Sequence, residues 1–83
     1  MTAETVADIT LDTRGTLCPL PVIKARLAMD KMKPAQVLQL LASDPGAKAD
    51  VPGWARVAGH RLLRQEERDE VFIFWVQKGE GKQ

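Results

Sequence analysis

The sequence predicts an α/β (α+β) two-layer sandwich, in which two helices cover one face of a mixed four-stranded sheet in the order β-α-β-α-β-β. Three observations predict it. Short apolar segments with the two-residue alternation of strands flank two longer segments whose apolar residues recur every three or four positions. Proline, glycine and Ser-Asp-Pro clusters fall between these segments, where turns belong. The last two strand-like segments are separated only by Arg68-Asp69-Glu70 and read as an antiparallel hairpin, whereas the earlier strands alternate with helices. The 83 residues form one domain spanning 1–83, with an ordered core over about 8–79 and mobile ends. With 45% hydrophobic but only 5% aromatic residues, its core is aliphatic.

Taken in order, Met1 to Ala7 is polar and weakly patterned, a frayed end. Asp8 to Thr13 alternates, with Ile9 and Leu11 on one side, and predicts a short strand with one buried face. A helix is expected from about Pro19 to Met32. Val22, Ala25, Met29 and Met32 form its buried stripe with Ala28 beside them, and Lys24, Asp30 and Lys31 lie off it. Lys31 and Lys33 suit its negative pole, and Pro34 ends it. Gln36 to Ala42 is an interior strand, with Leu38, Leu40 and Ala42 on one face and Val37, Gln39 and Leu41 on the other. In the turn Ser43-Asp44-Pro45-Gly46, Asp44 is placed to cap the following helix.

That second helix runs from about Gly46 to Ala58 and contains Pro52 and Gly53. These predict a kink or break near Asp50, with Trp54, Val57 and Ala58 on the buried side and Gly59 closing the C-terminus. His60 to Glu67 and Val71 to Lys78 are the hairpin strands, and the tail from Gly79 is mobile. In the last strand Val71, Ile73 and Trp75 face one side and Phe72, Phe74 and Val76 the other. Helices cover one sheet face only. The second set is therefore either shielded by neighbouring side chains or exposed as an apolar patch suited to a partner.

Chemistry points to Gly15-Thr16-Leu17-Cys18-Pro19-Leu20-Pro21, which holds the one cysteine of the chain. A lone cysteine is compatible with a small buried hydrophobe. Two prolines and a glycine around it instead specify the start of a helix, with Cys18 as N-cap and Pro19 as first helical residue. Pro19 and Pro21 remove two of the N–H groups a helix start leaves free, and Leu20 keeps its own close to the sulfur. That setting favours thiolate and lowers the thiol pKa. Gly15 and Thr16 give a small, flexible approach that leaves the sulfur accessible.

Cys18-Pro19-Leu20-Pro21 resembles the Cys-Pro-x-Pro signature of the TusA-type (SirA-like) sulfur-carrier family. Leu11-Asp12-Thr13-Arg14-Gly15, Ser43-Asp44-Pro45 and Asp50-Val51-Pro52-Gly53-Trp54 fall at that family's spacing, over roughly residues 9–79. The resemblance implies a sulfurtransferase that carries sulfur as a persulfide on Cys18. It implies a cysteine desulfurase or rhodanese-like donor and a DsrE-like or other sulfur-acceptor protein, serving tRNA thiolation, cofactor synthesis or sulfur oxidation. Many members have a basic residue just before the Asp of the third segment, where this chain has Ala49, with Lys48 one earlier.

Around Cys18, Arg14 is the first choice for a cation steadying an anionic sulfur, with Lys24, Arg26 and Lys48 as further candidates. Asp44 reads first as a helix cap, and the resemblance implies as the alternative a role in orienting the cysteine loop. His60 is the one histidine and reads as a bystander, so no metal site is expected, and no cofactor beyond the covalent persulfide. A single thiol excludes dithiol redox chemistry within the chain. The net charge of +1 and few aromatics argue against nucleic-acid binding. With no secretory signal and no apolar run longer than Val71 to Val76, a cytoplasmic protein without membrane attachment is expected. The competing reading is a non-catalytic regulatory module of the same fold that binds protein or RNA. It differs in predicting that Cys18→Ser keeps its activity.

Overall fold

The predicted order of elements is the observed one. The computed structural model describes residues 6–79, so the frayed ends expected over 1–5 and 80–83 lie outside the described residues. The elements are β1 (Ile9–Asp12), α1 (Leu20–Asp30), β2 (Val37–Ala42), α2 (Ala47–Ala58), β3 (Arg61–Arg68) and β4 (Val71–Gln77). The strands form one four-stranded sheet in the order β1-β2-β4-β3. β1 and β2 are parallel and joined through α1, while β4 runs antiparallel to both β2 and β3. The sheet is therefore mixed and open, with β2 and β4 interior.

Register places Ala42 opposite Phe72, Leu40 opposite Phe74 and Leu38 opposite Val76. These six residues are buried together with Ala25, Met29 and Met32 from α1 and its end, and Ala47, Val51 and Ala55 from α2. Both helices thus cover the same sheet face. Phe72, Phe74 and Val76 lie under the helices, and are not the set that could face a partner. The helix-free face carries Val71, Ile73 and Trp75. Trp75 is only 8% exposed, with Arg64 over its ring at 5.3 Å, and Glu66, opposite Ile73, pairs with both Arg64 and Arg68. Shielding by neighbours, rather than an open patch, describes this face.

Two expectations for the helices are corrected. α1 begins at Leu20, with Pro19 as its N-cap, one residue later than anticipated. α2 is continuous from Ala47 to Ala58 in spite of Pro52. A proline six residues into the helix removes only the bond to the carbonyl of Lys48, an exposed residue of the first turn. Ala47, Val51 and Ala55 are buried on either side of it, so packing anchors both parts of the helix. An unbroken helix also changes the buried stripe, so Val57 is 89% exposed and Trp54 only partly buried. Ala58 is exposed as well.

The edges are guarded. β1 is four residues long, and of its apolar residues only Leu11 packs on the core. β3 is rich in charge and irregular between Leu62 and Arg64, which disfavours pairing with another strand. The hairpin turns through Asp69 (φ 51°) and Glu70 (φ 66°), both left-handed, as the twist of a two-residue hairpin turn demands.

Candidate functional site

Cys18 stands in the loop between β1 and α1, where that loop meets the start of α2. The approach to it is fixed rather than flexible. Thr13 is buried, and its hydroxyl donates to the Leu41 carbonyl at 2.5 Å. Thr16 N–H donates to the Thr13 carbonyl at 3.2 Å, closing a turn with Gly15 (φ 86°) at its third position. That position demands a positive φ and hence glycine. Gly15 N–H in turn donates to Ser43 Oγ at 2.8 Å.

Asp44 does not cap α2, whose start shows no side-chain cap. Its Oδ2 accepts the Cys18 N–H at 2.8 Å instead, across 26 residues of sequence, while its carbonyl accepts from Ala47 N–H at 2.9 Å. That bond ties the cysteine loop to the turn before α2. Gly46 has an ordinary φ of −60°, but the cysteine loop comes close to it. A Cβ there would sit 3.3 Å from Cys18 Cβ and 3.4 Å from its Sγ.

The sulfur's electrostatics run against the sequence expectation. The Leu20 N–H donates to the Leu17 carbonyl at 2.9 Å, so it is not directed at the sulfur. Pro21 contributes no donor and is buried against the core. What meets Sγ is a carboxylate: the Cys18 thiol donates to Asp50 Oδ2, from the first turn of α2. That hydrogen bond, followed by desolvation and the negative charges of Asp50 and Asp44, pushes the thiol pKa up to about 11. Cys18 is half-buried and, among the described residues, a free thiol. It rests protonated.

Two of the four candidate cations, Arg14 and Lys48, are engaged elsewhere. Arg14 grips Asp12 with two side-chain bonds, of 2.9 and 2.7 Å, which hold the Asp12 carboxyl down at about 2. Lys48 lies 3.7 Å from Glu67 and over the Phe72 ring. Lys24 and Arg26 are exposed on α1. His60 accepts from Gly79 N–H at 2.9 Å, and burial lowers its pKa. It fastens the end of β4 rather than any reactive group.

Sequence reasoning missed Asp50 and Gly46 as parts of this site. It also missed a row of apolar side chains on the outer face of α1. Leu17, Leu20, Ile23 and Leu27 are 71, 44, 45 and 55% exposed, beginning beside Cys18. Leu20, Ile23 and Leu27 are spaced to share one face, a signal visible in the sequence but hidden by the stronger buried stripe.

The family model described as Sulfurtransferase TusA matches residues 9–78. The chain belongs to the TusA family. It is 32% identical over 75 residues to the sulfur carrier protein TusA of Pseudomonas entomophila, covering 90% of this chain and 94% of that protein. It is 38% identical over 73 residues to YrkI of Bacillus subtilis, covering 88% and 97% respectively. A crystal structure of a SirA-like protein from Desulfitobacterium hafniense superposes with a TM-score of 0.75 at 26% identity, over 86% of this chain and 97% of that one. TusA membership gives the chain a sulfur-carrier role, with sulfurtransferase-type chemistry in general and dealings with sulfur donor and acceptor proteins. Among the described residues no helix is long and apolar enough to cross a membrane.

Proposed function

We propose that the chain accepts sulfane sulfur as a persulfide on Cys18 and passes it to an acceptor protein. The observation that carries this reading is a single half-buried thiol, held at the meeting of a fixed loop and two helix starts, in a chain of the TusA family. Loading is an exchange: Cys18–SH + R–S–SH gives Cys18–S–SH + R–SH. The Cys18 sulfur, deprotonated, attacks the outer sulfur of the donor. The donor's S–S bond breaks, and its thiolate leaves and takes up the proton. Discharge is the same exchange with the acceptor thiol as nucleophile. No net oxidant or reductant enters.

A cysteine desulfurase or a rhodanese-like protein is the proposed donor, and a DsrE-like or similar protein the acceptor. The partner's docking surface on this chain is the row Leu17, Leu20, Ile23 and Leu27. It adjoins the thiol and is flanked by Lys24, Arg26 and Lys31, so it fits an apolar surface with an acidic rim. The deciding experiment is intact-protein mass after incubation with a cysteine desulfurase and cysteine, or with a rhodanese and thiosulfate. One added sulfur atom, removed by dithiothreitol and absent from Cys18→Ser, is expected. A wild-type protein that stays unmodified with both donors, while its thiol still alkylates, rejects the reading.

A further inference from the structure

The cysteine of a sulfur carrier is expected beside positive charge, yet here the sulfur faces carboxylates. Asp50 Oδ2 accepts the Cys18 thiol proton, and Asp44 Oδ2 accepts the Cys18 N–H. Gly46 leaves no side chain between Sγ and the start of α2. Among the described residues no cation is paired with either carboxylate: Arg14 is bound to Asp12, Lys48 is turned to Glu67 and Phe72, and the neighbours of Asp50 in the chain are Ala49 and Val51.

We propose that Asp50 sets the direction of sulfur exchange: it stabilises the empty Cys18 thiol as its hydrogen-bond acceptor and repels the anionic persulfide that replaces it, biasing the loaded protein towards release. The second half of this statement rests on the carrier reading above. A hydropersulfide is a stronger acid than its parent thiol, so near neutral pH the exchange is Cys18–SH + R–S–S⁻ ⇌ Cys18–S–S⁻ + R–SH. On the left Asp50 holds a donor. On the right the donor is gone, and a negative charge stands within a few ångströms of the carboxylate. The same arrangement keeps the empty thiol protonated and so protects it from oxidants that attack thiolates.

The test compares wild type with Asp50→Asn and Asp50→Glu in two measurements that need no protein partner. The first is the pH profile of iodoacetamide alkylation. Asp50→Asn is expected to move the thiol pKa down by at least about one unit, while Asp50→Glu stays near wild type. A loss of two units raises the thiolate fraction about a hundredfold and lowers its nucleophilicity about tenfold, so alkylation near pH 7 rises on the order of tenfold. The second is the loaded fraction at equilibrium with glutathione persulfide and glutathione. It is expected to rise several-fold, up to on the order of tenfold, in Asp50→Asn, since the outer sulfur lies one bond further from the carboxylate than Sγ.

In wild type, added salt is expected to lower the thiol pKa, a measurement that stands even if a variant fails to fold. A wild-type thiol that titrates at the ordinary value near 8.5, or Asp50→Asn with an unchanged alkylation profile and loading, overturns the proposal. Failure with every protein donor, alongside both expected shifts, would instead count against the carrier reading alone.

Discussion

The two helices meet at the thiol but are built in opposite ways. α2 is a conventional amphipathic helix. It buries Ala47, Val51 and Ala55, places Asp50 in its first turn and ends on Gly59 in the left-handed conformation. α1 has no acidic residue in its first turn, starts on prolines and carries apolar side chains on two faces. One face, Pro21, Ala25 and Met29, is buried; the other, Leu20, Ile23 and Leu27, is exposed. The Cys-Pro-Leu-Pro signature belongs to α1, yet the charge that governs the sulfur comes from α2. The signature therefore places the thiol, while α2 and the loop before it set its chemistry.

The largest effect expected from breaking this contrast is on the buried face of α1. Met29 is 1% exposed and touches the shared core, so Met29→Ala costs about 2–5 kcal/mol in chemical denaturation. A loss below about 1 kcal/mol would mean that α1 is not anchored as described.

A smaller effect is expected where the loops of the two helices are tied together. Asp44→Ala strands the Cys18 N–H, a hydrogen bond to a charged group in a partly buried place, and costs about 1 kcal/mol. For a domain of this size that is a drop of about 4–8 °C in Tm. Asp44→Asn keeps an acceptor oxygen, so it should recover most of the lost Tm. Equal loss in both variants would place the effect of Asp44 elsewhere.

How far the sequence carries such detail differs between the two helices. Strand alternation and helix spacing sufficed for the order of elements, for the stripe Ala25, Met29 and Met32, and for the interior place of β2, because each signal is local. The thiol was also local, marked by two prolines. Its partners were not: Asp44, 26 residues away, was tied to the cysteine loop only through the family resemblance, and Asp50, 32 residues away, reaches the sulfur only by the packing of α2 against that loop. The kink or break expected near Asp50 hid that residue further, since it left the start of α2 as a separate turn of unknown direction. The expected fall in the thiol pKa failed for the same reason. Local reasoning counted the N–H groups of α1 and had no view of the carboxylates of α2. Which face of β4 lies under the helices likewise depends on register with β2, which the strand's own alternation leaves open.

The smallest effect on stability, and the sharpest test of the two-faced helix, belongs to its outer row. Ile23 and Leu27 stand in solvent, so Ile23→Ser and Leu27→Ser are expected to change stability by no more than about 0.5 kcal/mol each. Neither touches the sulfur, and iodoacetamide should alkylate Cys18 in both at the wild-type rate. Sulfur uptake from a protein donor is a different matter, because burying each side chain against a partner stabilises the encounter by about 1.5–3 kcal/mol at most. The double variant is therefore expected to need at least about tenfold more donor for half-maximal loading, with its reaction with glutathione persulfide unchanged. Loading by the protein donor at the wild-type rate would assign docking to another surface and leave the exposed row as solvent-facing hydrophobes. A loss with both the protein donor and the small persulfide would place the damage at the thiol itself, on the inner side of the helix start rather than along its outer face.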